Sequence, residues 1–377
     1  GLETSFANGG QISVSHAEPW ANPGALKKIV QWLGREDAPL LFRLRADPQQ
    51  WLWGLKFLLE CLPGRNRQNI LQLVRLGLYS RATLRALRRQ TGIDYDQLER
   101  GILHFYTDAR ELEAATQSAR LMRELGCDRV PKTAAECVAI EPALAAMKHR
   151  LAGGTYAAED ETGDAHKFTQ ALAKLCAERG VRFEYGARIE RIATAGDRIA
   201  GVEVAGRGLV RADAYVVSLG SYSPLLLRPI GVPLAIYPAK GYSVTMPVKD
   251  RAAAWTVSIA DEAQKLVFAR LGERLRIAGT AELAGYDTTI NKVRCGAIVA
   301  RTVELFPDAG DASKAEFWAG LRPATPSNIP YIGLTRFPNL FLNTGHGTLG
   351  WTHACGSGRA LADIVSGRRP EVDFAFS

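Results

Sequence analysis

The sequence predicts an α/β fold into which a second lobe of mixed α+β structure is inserted. Three observations support this fold class. Residues 24–150 read mostly as long helical segments, residues 181–219 and 236–283 read mostly as strands, and a glycine-rich turn joins a strand to a helix near the end of the chain. A chain of 377 residues, of which 47% are hydrophobic, can bury a large core and form two domains or one two-lobed unit.

Helices are predicted through most of the first lobe, because apolar residues recur at helical spacing in long segments bounded by Pro and Gly. These segments are GALKKIVQWLG, QQWLWGLKFLLECL, RQNILQLVRLGLYSRATLRALRRQTG and ARELEAATQSARLMRELG. The segment GILHFYT is typical of a strand and interrupts them.

The middle of the chain is predicted to alternate between helix and strand. We expect Asp164 to cap a helix that includes TQALAKLCAERG from Thr169, and we interpret the acidic segment DETGDAHKF as structural. Short Val- and Ile-rich runs then alternate with Gly-containing turns, as in a small sheet, and residues 215–219 are predicted to be a buried strand. Strands follow in YSVTMPV, WTVSIA, KLVFARLG and LRIAGTAEL, and a helix is predicted from Lys292 to Phe306.

Charge and cysteine content exclude several function classes. The formal net charge of +8 is spread along the chain without a long basic run, which favours anionic ligands or an anionic membrane surface over nucleic acid. The six cysteines show no metal-ligand spacing, so we predict reduced thiols in a cytoplasmic setting and no metal site. No apolar run is long enough to span a bilayer.

The segment NTGHGTLGWTHACGSGRALADIV contains a literal G-x-G-x-x-G at Gly345, Gly347 and Gly350. In a dinucleotide-binding fingerprint, an acidic residue follows roughly 20 positions further on, after the helix and a second strand. The sequence leaves too little room after Gly350 for both elements, so this turn is predicted to have a different role. Ala354 to Val365 is predicted to be its helix.

Two other segments contain residues suited to binding a small anionic substrate. GLRPATPSNIPYIG places Arg322 at the edge of a proline-rich turn, and its planar guanidinium matches a carboxylate, although a surface arginine would look the same. YPAKGYSVT places Tyr237 and Tyr242 at a strand entry, where aromatic residues are also common in cores. Because no hydrolase triad, zincin or kinase motif is present, a cofactor is expected to supply the chemistry.

Several motifs, taken together and in order, resemble a known family. SFANGGQIS, DETGD, GSYS, YPAKGYS, FWAGLRPATPSNIPYIG and LNTGHGTLGWTHACGSG are similar to segments of the bacterial D-amino acid dehydrogenases, flavoproteins of the wider D-amino acid oxidase and glycine oxidase superfamily. The resemblance implies FAD-dependent oxidative deamination of D-amino acids to 2-oxo acids and ammonia, with electrons passed to a quinone or another respiratory acceptor.

The resemblance also implies a domain organisation. The FAD-binding Rossmann-like domain would comprise residues 1–23, 151–235 and 323–377, with a helical substrate lobe at 24–150 and a substrate-domain sheet at 236–322. Family members begin with a strand and a true G-x-G-x-x-G ahead of SFANGG. We expect that βαβ start to be missing from this chain, or to be supplied by a second chain.

The resemblance assigns candidate roles to particular residues. Arg322 would bind the substrate carboxylate, with Tyr237 or Tyr242 as a second donor, and the C-terminal glycine turn would contact the flavin ring. The candidate cofactor-binding residues are Ser5, Asn8, Gly9, Gly10, Gln11, Ile12, Ile189, Gly220, Ser221, Gly345, His346, Gly347, Thr348, Leu349 and Gly350.

Three alternatives stay open from the sequence. The chain could instead be a related flavin oxidase or dehydrogenase acting on glycine, proline or hydroxyproline, or it could be a non-catalytic subunit. The segment WLWGLKFLLECL could be a core helix of the inserted lobe or a helix lying in a membrane interface, with arginines nearby. We expect peripheral association with the cytoplasmic face of the inner membrane, or a cytoplasmic location.

Overall fold

A nine-stranded mixed sheet is the largest element of the computed structural model, which describes residues 3–25, 29, 36 and 38–377. The strands, in chain order, are β1 (Gln11–Ile12), β2 (Leu40–Phe42), β3 (Ile102–Tyr106), β4 (Val130–Lys132), β5 (Gly153–Ala157), β6 (Glu161–Thr162), β7 (Ile189–Ala195), β8 (Arg198–Val204), β9 (Gly208–Val210), β10 (Tyr215–Val217), β11 (Tyr237–Pro247), β12 (Ser258–Asp261), β13 (Leu266–Leu271), β14 (Arg274–Leu283), β15 (Glu316–Ala324), β16 (Tyr331–Leu334) and β17 (Leu340–Thr344).

Helices flank this sheet and a smaller one. The α-helices with defined bounds are α1 (Pro48–Glu60), α2 (Pro63–Thr91), α3 (Ala109–Glu124), α4 (Ala134–Ile140), α5 (Ala165–Glu178), α6 (Ser223–Leu227), α7 (Lys292–Leu305) and α8 (Gly350–Val365). Asp164 caps α5 by accepting from the backbone N–H groups of His166 and Lys167, which confirms the predicted cap.

The large sheet has the strand order β15–β11–β14–β13–β12–β3–β5–β4, with β2 paired to β14. Its principal core cluster centres on Trp255, Phe268 and Phe306, whose rings pack within 5.1–5.5 Å of one another. Burial of three aromatic side chains at this point is a large stabilising contribution.

A second, smaller sheet has the order β10–β17–β16, with β10 and β17 parallel. Helix α8 follows β17 through the glycine turn and packs against the long helix α2. Close packing between them occurs at Gly356, whose backbone N–H donates to the Ser80 hydroxyl at 3.0 Å. A side chain at position 356 would overlap the Ser80 backbone.

Most of the predicted elements are observed, with differences that have physical reasons. The predicted buried strand at 215–219 is shorter, and its central residue Val216 is 47% exposed, because β10 is an edge strand with one face on the core. The predicted helix GALKKIVQWLG falls largely outside the described residues. Strand β5 pairs with β3, so this part of the predicted second FAD-binding segment belongs to the large sheet. No helix among the described residues is both long and apolar enough to cross a membrane.

Candidate functional site

One cavity of about 1370 Å³ lies between the large sheet and the N-terminal end of α8. Pockets for a single small ligand have volumes of about 300–1,000 Å³. Its volume is therefore suited to a large cofactor together with a substrate. Its backbone walls come from three separate parts of the chain: residues 4–11, Gly220 after β10, and the turn at 343–350.

The glycine turn forms one wall of the cavity. Gly345 has φ of +85° and Gly347 has φ of +53°, a left-handed conformation that a side chain rarely adopts. Helix α8 starts at Gly350 without a side-chain cap, so its first backbone N–H groups have no side-chain partner where the helix begins at the cavity. This arrangement favours a ligand atom that carries partial negative charge.

His346 lies in the same turn and lines the cavity. Its Nε2 is 2.9 Å from the Ser357 hydroxyl, which holds the ring in place. Burial lowers the pKa of His346 to about 4, so the imidazole is neutral at physiological pH. A neutral ring of this kind is suited to hydrogen bonding and is a weak base.

The segment at residues 4–11 also lines the cavity. The Asn8 side chain accepts from the Gly10 N–H at 2.9 Å, and the Asn8 carbonyl accepts from the Arg276 guanidinium at 3.1 Å. Gln11 donates to the Ser258 hydroxyl at 2.9 Å. These contacts fasten the segment to the large sheet, so its backbone has a fixed position along the cavity.

The buried carboxylate of Asp160 anchors the chain beyond this segment. It accepts from the backbone N–H groups of Val14 and Ser15 and from the hydroxyls of Ser13 and Ser15. Desolvation is the largest influence on this carboxyl and raises its pKa, against the lowering effect of these bonds. The sequence interpretation treated the DETGD acids as helix-dipole partners and missed this role, which depends on contacts distant in sequence.

Arg322 lies within strand β15, not at the edge of a turn as the sequence suggested. Strand β15 is the edge of the large sheet, where the following Pro323 is tolerated. The Arg322 guanidinium lines the cavity and donates from Nη1 to the Thr280 carbonyl at 2.9 Å. No carboxylate within the described ranges forms an ion pair with it.

An arginine in this setting is poised to receive an anion. Burial, with a smaller contribution from the neighbouring Arg294, lowers the pKa of Arg322 to about 10, and the guanidinium remains charged at neutral pH. A buried cation without an acidic partner is costly, and a carboxylate ligand would offset that cost.

The two candidate tyrosines have different surroundings. Tyr242 lines the cavity, but its hydroxyl donates to the Glu282 carboxylate at 2.5 Å. While that bond persists, the hydroxyl cannot donate to a substrate carboxylate. Tyr237 does not line the cavity and packs with its ring 6.3 Å from that of Trp53.

Three further candidates also lie outside the cavity lining. Ile12 is fully buried in a separate apolar cluster, and the Ser221 hydroxyl donates to the Leu321 carbonyl at 3.0 Å. Ile189 begins β7 in the small β7–β8–β9 sheet, and its side chain is 37% exposed. The remaining candidates all line the cavity: Ser5, Asn8, Gly9, Gly10, Gln11, Gly220, Gly345, His346, Gly347, Thr348, Leu349, Gly350, Tyr242 and Arg322.

A polar cluster that the sequence did not indicate lies along another part of the cavity wall. His104 Nδ1 is 2.7 Å from Glu262, and His16 stacks on His104 with ring centroids 5.1 Å apart. Their possible metal-ligating atoms lie within 4.8 Å of one another, but the ring planes are only 16° apart, so the in-plane lone pairs do not converge as metal ligation requires. Lys265 also pairs with Glu262, and we interpret the cluster as a hydrogen-bonded wall.

The cavity lining fits FAD by the chemistry of its parts. Left-handed glycines let the backbone approach a planar ring closely, and the uncapped start of α8 favours electron-rich ligand atoms. A side chain at position 9 would come within 2.7 Å of Val267, so this wall too requires glycine.

Comparison with known proteins gives consistent results. The profile of the family described as FAD dependent oxidoreductase matches residues 1–364. A D-amino acid dehydrogenase of Dechloromonas aromatica is 60% identical over 100% of this chain and 91% of its own length. One of Paramagnetospirillum magneticum is 57% identical over 98% of this chain and 87% of its own length. The structure of glycine oxidase from Geobacillus kaustophilus is 26% identical, with a TM-score of 0.72, and the match covers 80% of this chain and 81% of that one.

Proposed function

We propose that this chain, which belongs to the FAD dependent oxidoreductase family, catalyses the oxidative deamination of D-amino acids to 2-oxo acids and ammonia. The observation that carries the proposal is Arg322, a cavity-lining guanidinium with no acidic partner among the described residues, in the same cavity as the glycine turn at 345–350. The names of the two bacterial relatives support this substrate class.

The glycine turn at 345–350 and the segment at residues 5–11 would hold the flavin ring. FAD, when bound, would accept the hydrogen and electron pair removed from the substrate Cα. The protein contributes orientation and electrostatics. The uncapped α8 N-terminus would stabilise negative charge at the ring, and neutral His346 would add a hydrogen bond.

The substrate would be oriented by its carboxylate. Arg322 provides two parallel N–H donors, and a bidentate contact fixes both the position and the direction of the bound acid. With the amine neutral, no protein base is needed at Cα, so orientation accounts for most of the rate enhancement attributable to these residues. Tyr242 would contribute by fixing Glu282 beneath the site, and a role in direct substrate binding would require that bond to break.

The electron acceptor is proposed to be a quinone in the membrane, reached by peripheral association through α1. One face of α1 buries Trp53 and Phe57 in the protein, while leucines on other faces are exposed. The exposed apolar residues of α1 are Trp51 (50%), Leu52 (48%), Leu55 (63%), Leu58 (45%) and Leu59 (53%), and Leu62 (54%) follows between α1 and α2. Trp51, Leu55 and Leu58 also line the cavity, whereas Leu52, Leu59 and Leu62 do not. An apolar surface of this kind is typical of a helix that lies in a membrane interface.

The nearby arginines contribute unequally to such a surface. Arg75, Arg81 and Arg85 pair with carboxylates of the protein, so their charges are already compensated. Arg65 is exposed at the start of α2, next to α1, but it pairs with Glu60. Arg67 is exposed in the same turn and forms no ion pair among the described residues, so it is better placed for anionic headgroups. We therefore propose association with the cytoplasmic face of the inner membrane.

The domain division suggested by the sequence is also proposed. FAD would be bound by residues 1–23, 151–235 and 323–377, and substrate by the helical lobe 24–150 and the sheet 236–322. Strand β5 would then be the point where the two parts meet, since it lies in the second FAD-binding segment and pairs within the large sheet.

A related flavin enzyme acting on glycine is the second candidate, because the glycine oxidase structure shares the fold at 26% identity. Anaerobic titration of the purified flavoprotein with D-alanine, L-alanine, glycine and proline separates the two. The proposal expects flavin absorbance to bleach with D-alanine at the lowest concentration. Bleaching by glycine or proline in preference, or by none of the four, would contradict it.

A further inference from the structure

Strand β14 contains a bulge beside the candidate carboxylate-binding residue. The register of β14 on β11 shifts between Lys240 and Tyr242. Two residues of β14, Thr280 and Ala281, therefore stand opposite the single residue Gly241. Bulges of this kind redirect backbone and side-chain groups, and they are frequent next to active sites.

Thr280 adopts an unfavourable backbone conformation within this bulge. Its φ is +55°, in the left-handed region, where a β-branched residue is a conformational outlier. Its own side chain does not compensate for the strain, because the Thr280 hydroxyl is buried and has no hydrogen-bond partner among the described residues. Conformations of this type persist only where the surrounding structure enforces them, and they concentrate at functional sites.

The backbone carbonyl of Thr280 contacts Arg322. In a regular antiparallel ladder, carbonyl groups lie in the plane of the sheet and pair with a neighbouring strand. Here the Thr280 carbonyl accepts from Arg322 Nη1 at 2.9 Å, although Arg322 is on β15, two strands away from β14. The bulge thus provides an acceptor for a side chain that crosses the intervening strand.

Gly241 is the residue that the guanidinium crosses. A Cβ atom at this position would overlap the guanidinium carbon and both terminal nitrogens of Arg322. The arginine therefore lies directly on the bare backbone of β11. Because Gly241 has no side chain, the guanidinium of Arg322 can lie close to the sheet, and its bond to the Thr280 carbonyl fixes its direction along the sheet.

We propose that Thr280 and Gly241 are positioning residues for the substrate carboxylate, acting through Arg322. Thr280 binds one terminal nitrogen through its carbonyl, and Gly241 lets the guanidinium lie flat, so the remaining N–H groups point in one direction into the cavity. This inference rests on the proposed role of Arg322 in binding the acid. The bulge in β14 would then contribute to the preference of the enzyme for an amino acid over an analogue that lacks the carboxylate.

The decisive experiment uses Gly241→Ala in the FAD-loaded full chain. The added methyl group displaces the end of a flexible side chain, so the fold and flavin content should be retained. Steady-state dye reduction is measured with D-alanine and with its carboxamide, which lacks the anionic group. We expect kcat/KM for D-alanine to fall at least tenfold, mainly through KM, and kcat/KM for the amide to change less than threefold.

A matched control is Gly296→Ala on α7, where an added Cβ meets no atom within 4 Å. It should leave both substrates unaffected. If Gly241→Ala lowers kcat/KM equally for D-alanine and for its amide, or changes kcat/KM for neither, the positioning role is wrong. If the unaltered protein bleaches with D-alanine no better than with its amide, Arg322 does not recognise the carboxylate and this inference fails with it. If D-alanine does not bleach the flavin at all, the proposed function itself fails.

A second pair of variants tests the bulge directly. Proline fixes φ near −65°, so Thr280→Pro cannot keep the carbonyl in its place and should reproduce the selective loss for D-alanine. Asparagine tolerates the left-handed region, and Thr280→Asn should recover at least half of the acid-over-amide preference that the proline variant loses. Thermal denaturation shows whether both variants are folded. If both are folded and prefer D-alanine over its amide to the same degree, the proposal is wrong, even where Gly241→Ala does not fold.

Discussion

Replacement of Arg322 by lysine is expected to raise KM for D-amino acids strongly while leaving flavin content intact. Lysine keeps the positive charge but replaces a planar fork with a point charge, so one of two charge-assisted hydrogen bonds to the carboxylate is lost. Such a bond is worth about 1.5–3 kcal/mol, which corresponds to a rise of roughly 10- to 150-fold in KM if binding is near equilibrium.

The structure also explains why lysine cannot compensate by moving. The guanidinium spans from β15 across Gly241 to the Thr280 carbonyl, and a single ammonium cannot contact that carbonyl and both substrate oxygens with the same geometry. Steady-state dye reduction with D-alanine measures the effect, and absorbance near 450 nm measures bound flavin. Arg251→Lys is a control at a side chain that is 74% exposed. A KM within twofold of the unaltered enzyme would refute the carboxylate-clamp assignment.

Three further predictions concern the glycine turn, acid stability and the membrane. Gly347→Val should give folded protein with little bound flavin, because a β-branched residue disfavours φ of +53° and its side chain projects into the cavity. The control is Gly367→Val, where φ is +72° but the residue lies outside the cavity, and this protein should stay yellow. A yellow Gly347→Val protein would contradict flavin binding by the glycine turn. Burial lowers the pKa of His346 to about 4 from 6.5 in the unfolded chain, so the unfolded state binds the proton first and this residue costs about 3 kcal/mol of stability as pH falls from 6.5 to 4. Urea unfolding at several pH values checks this: His346→Gln should reduce the loss, and the remainder comes from other buried histidines, such as His104 and His353, whose pKa values burial also lowers. An unchanged pH profile in His346→Gln would contradict the prediction. Leu52→Gln combined with Leu59→Gln should abolish flotation with anionic liposomes at low salt, while Val293→Gln, at a more exposed apolar residue of α7, should not. Unchanged flotation of the double variant would exclude α1 as the membrane contact.

Local sequence signals predicted the elements that depend on neighbouring residues. The cap at Asp164, the helix after the glycine turn and the helix from Lys292 follow from capping chemistry and apolar spacing, and the structure contains each of them. The glycine turn was also predicted as a turn that joins a strand to a helix, and the structure contains it between β17 and α8. Its role in binding the flavin stays a prediction.

Features that depend on strand register were not predictable from the sequence. Gly241 and Thr280 carry no motif that distinguishes them, and their relation to Arg322 exists only because three strands distant in sequence are paired. The same limit explains Asp160, whose partners are contributed by residues 13–15. For α1, apolar spacing alone could not distinguish a core helix from an interface helix. The structure shows why, because apolar residues lie both on its buried face and on its exposed faces.

The cavity is built from both ends of the chain, and this has a consequence for biosynthesis. The Ser13 N–H donates to the Thr352 hydroxyl at 3.0 Å, and β3 pairs in parallel with β12, so neither wall can be completed until late parts of the chain have been made. Pairing between such distant segments makes folding slow and prolongs the exposure of unpaired strands. The supply of FAD should therefore influence the yield of folded protein after translation. FAD binds only the completed fold and stabilises it, so fewer chains are degraded or aggregate.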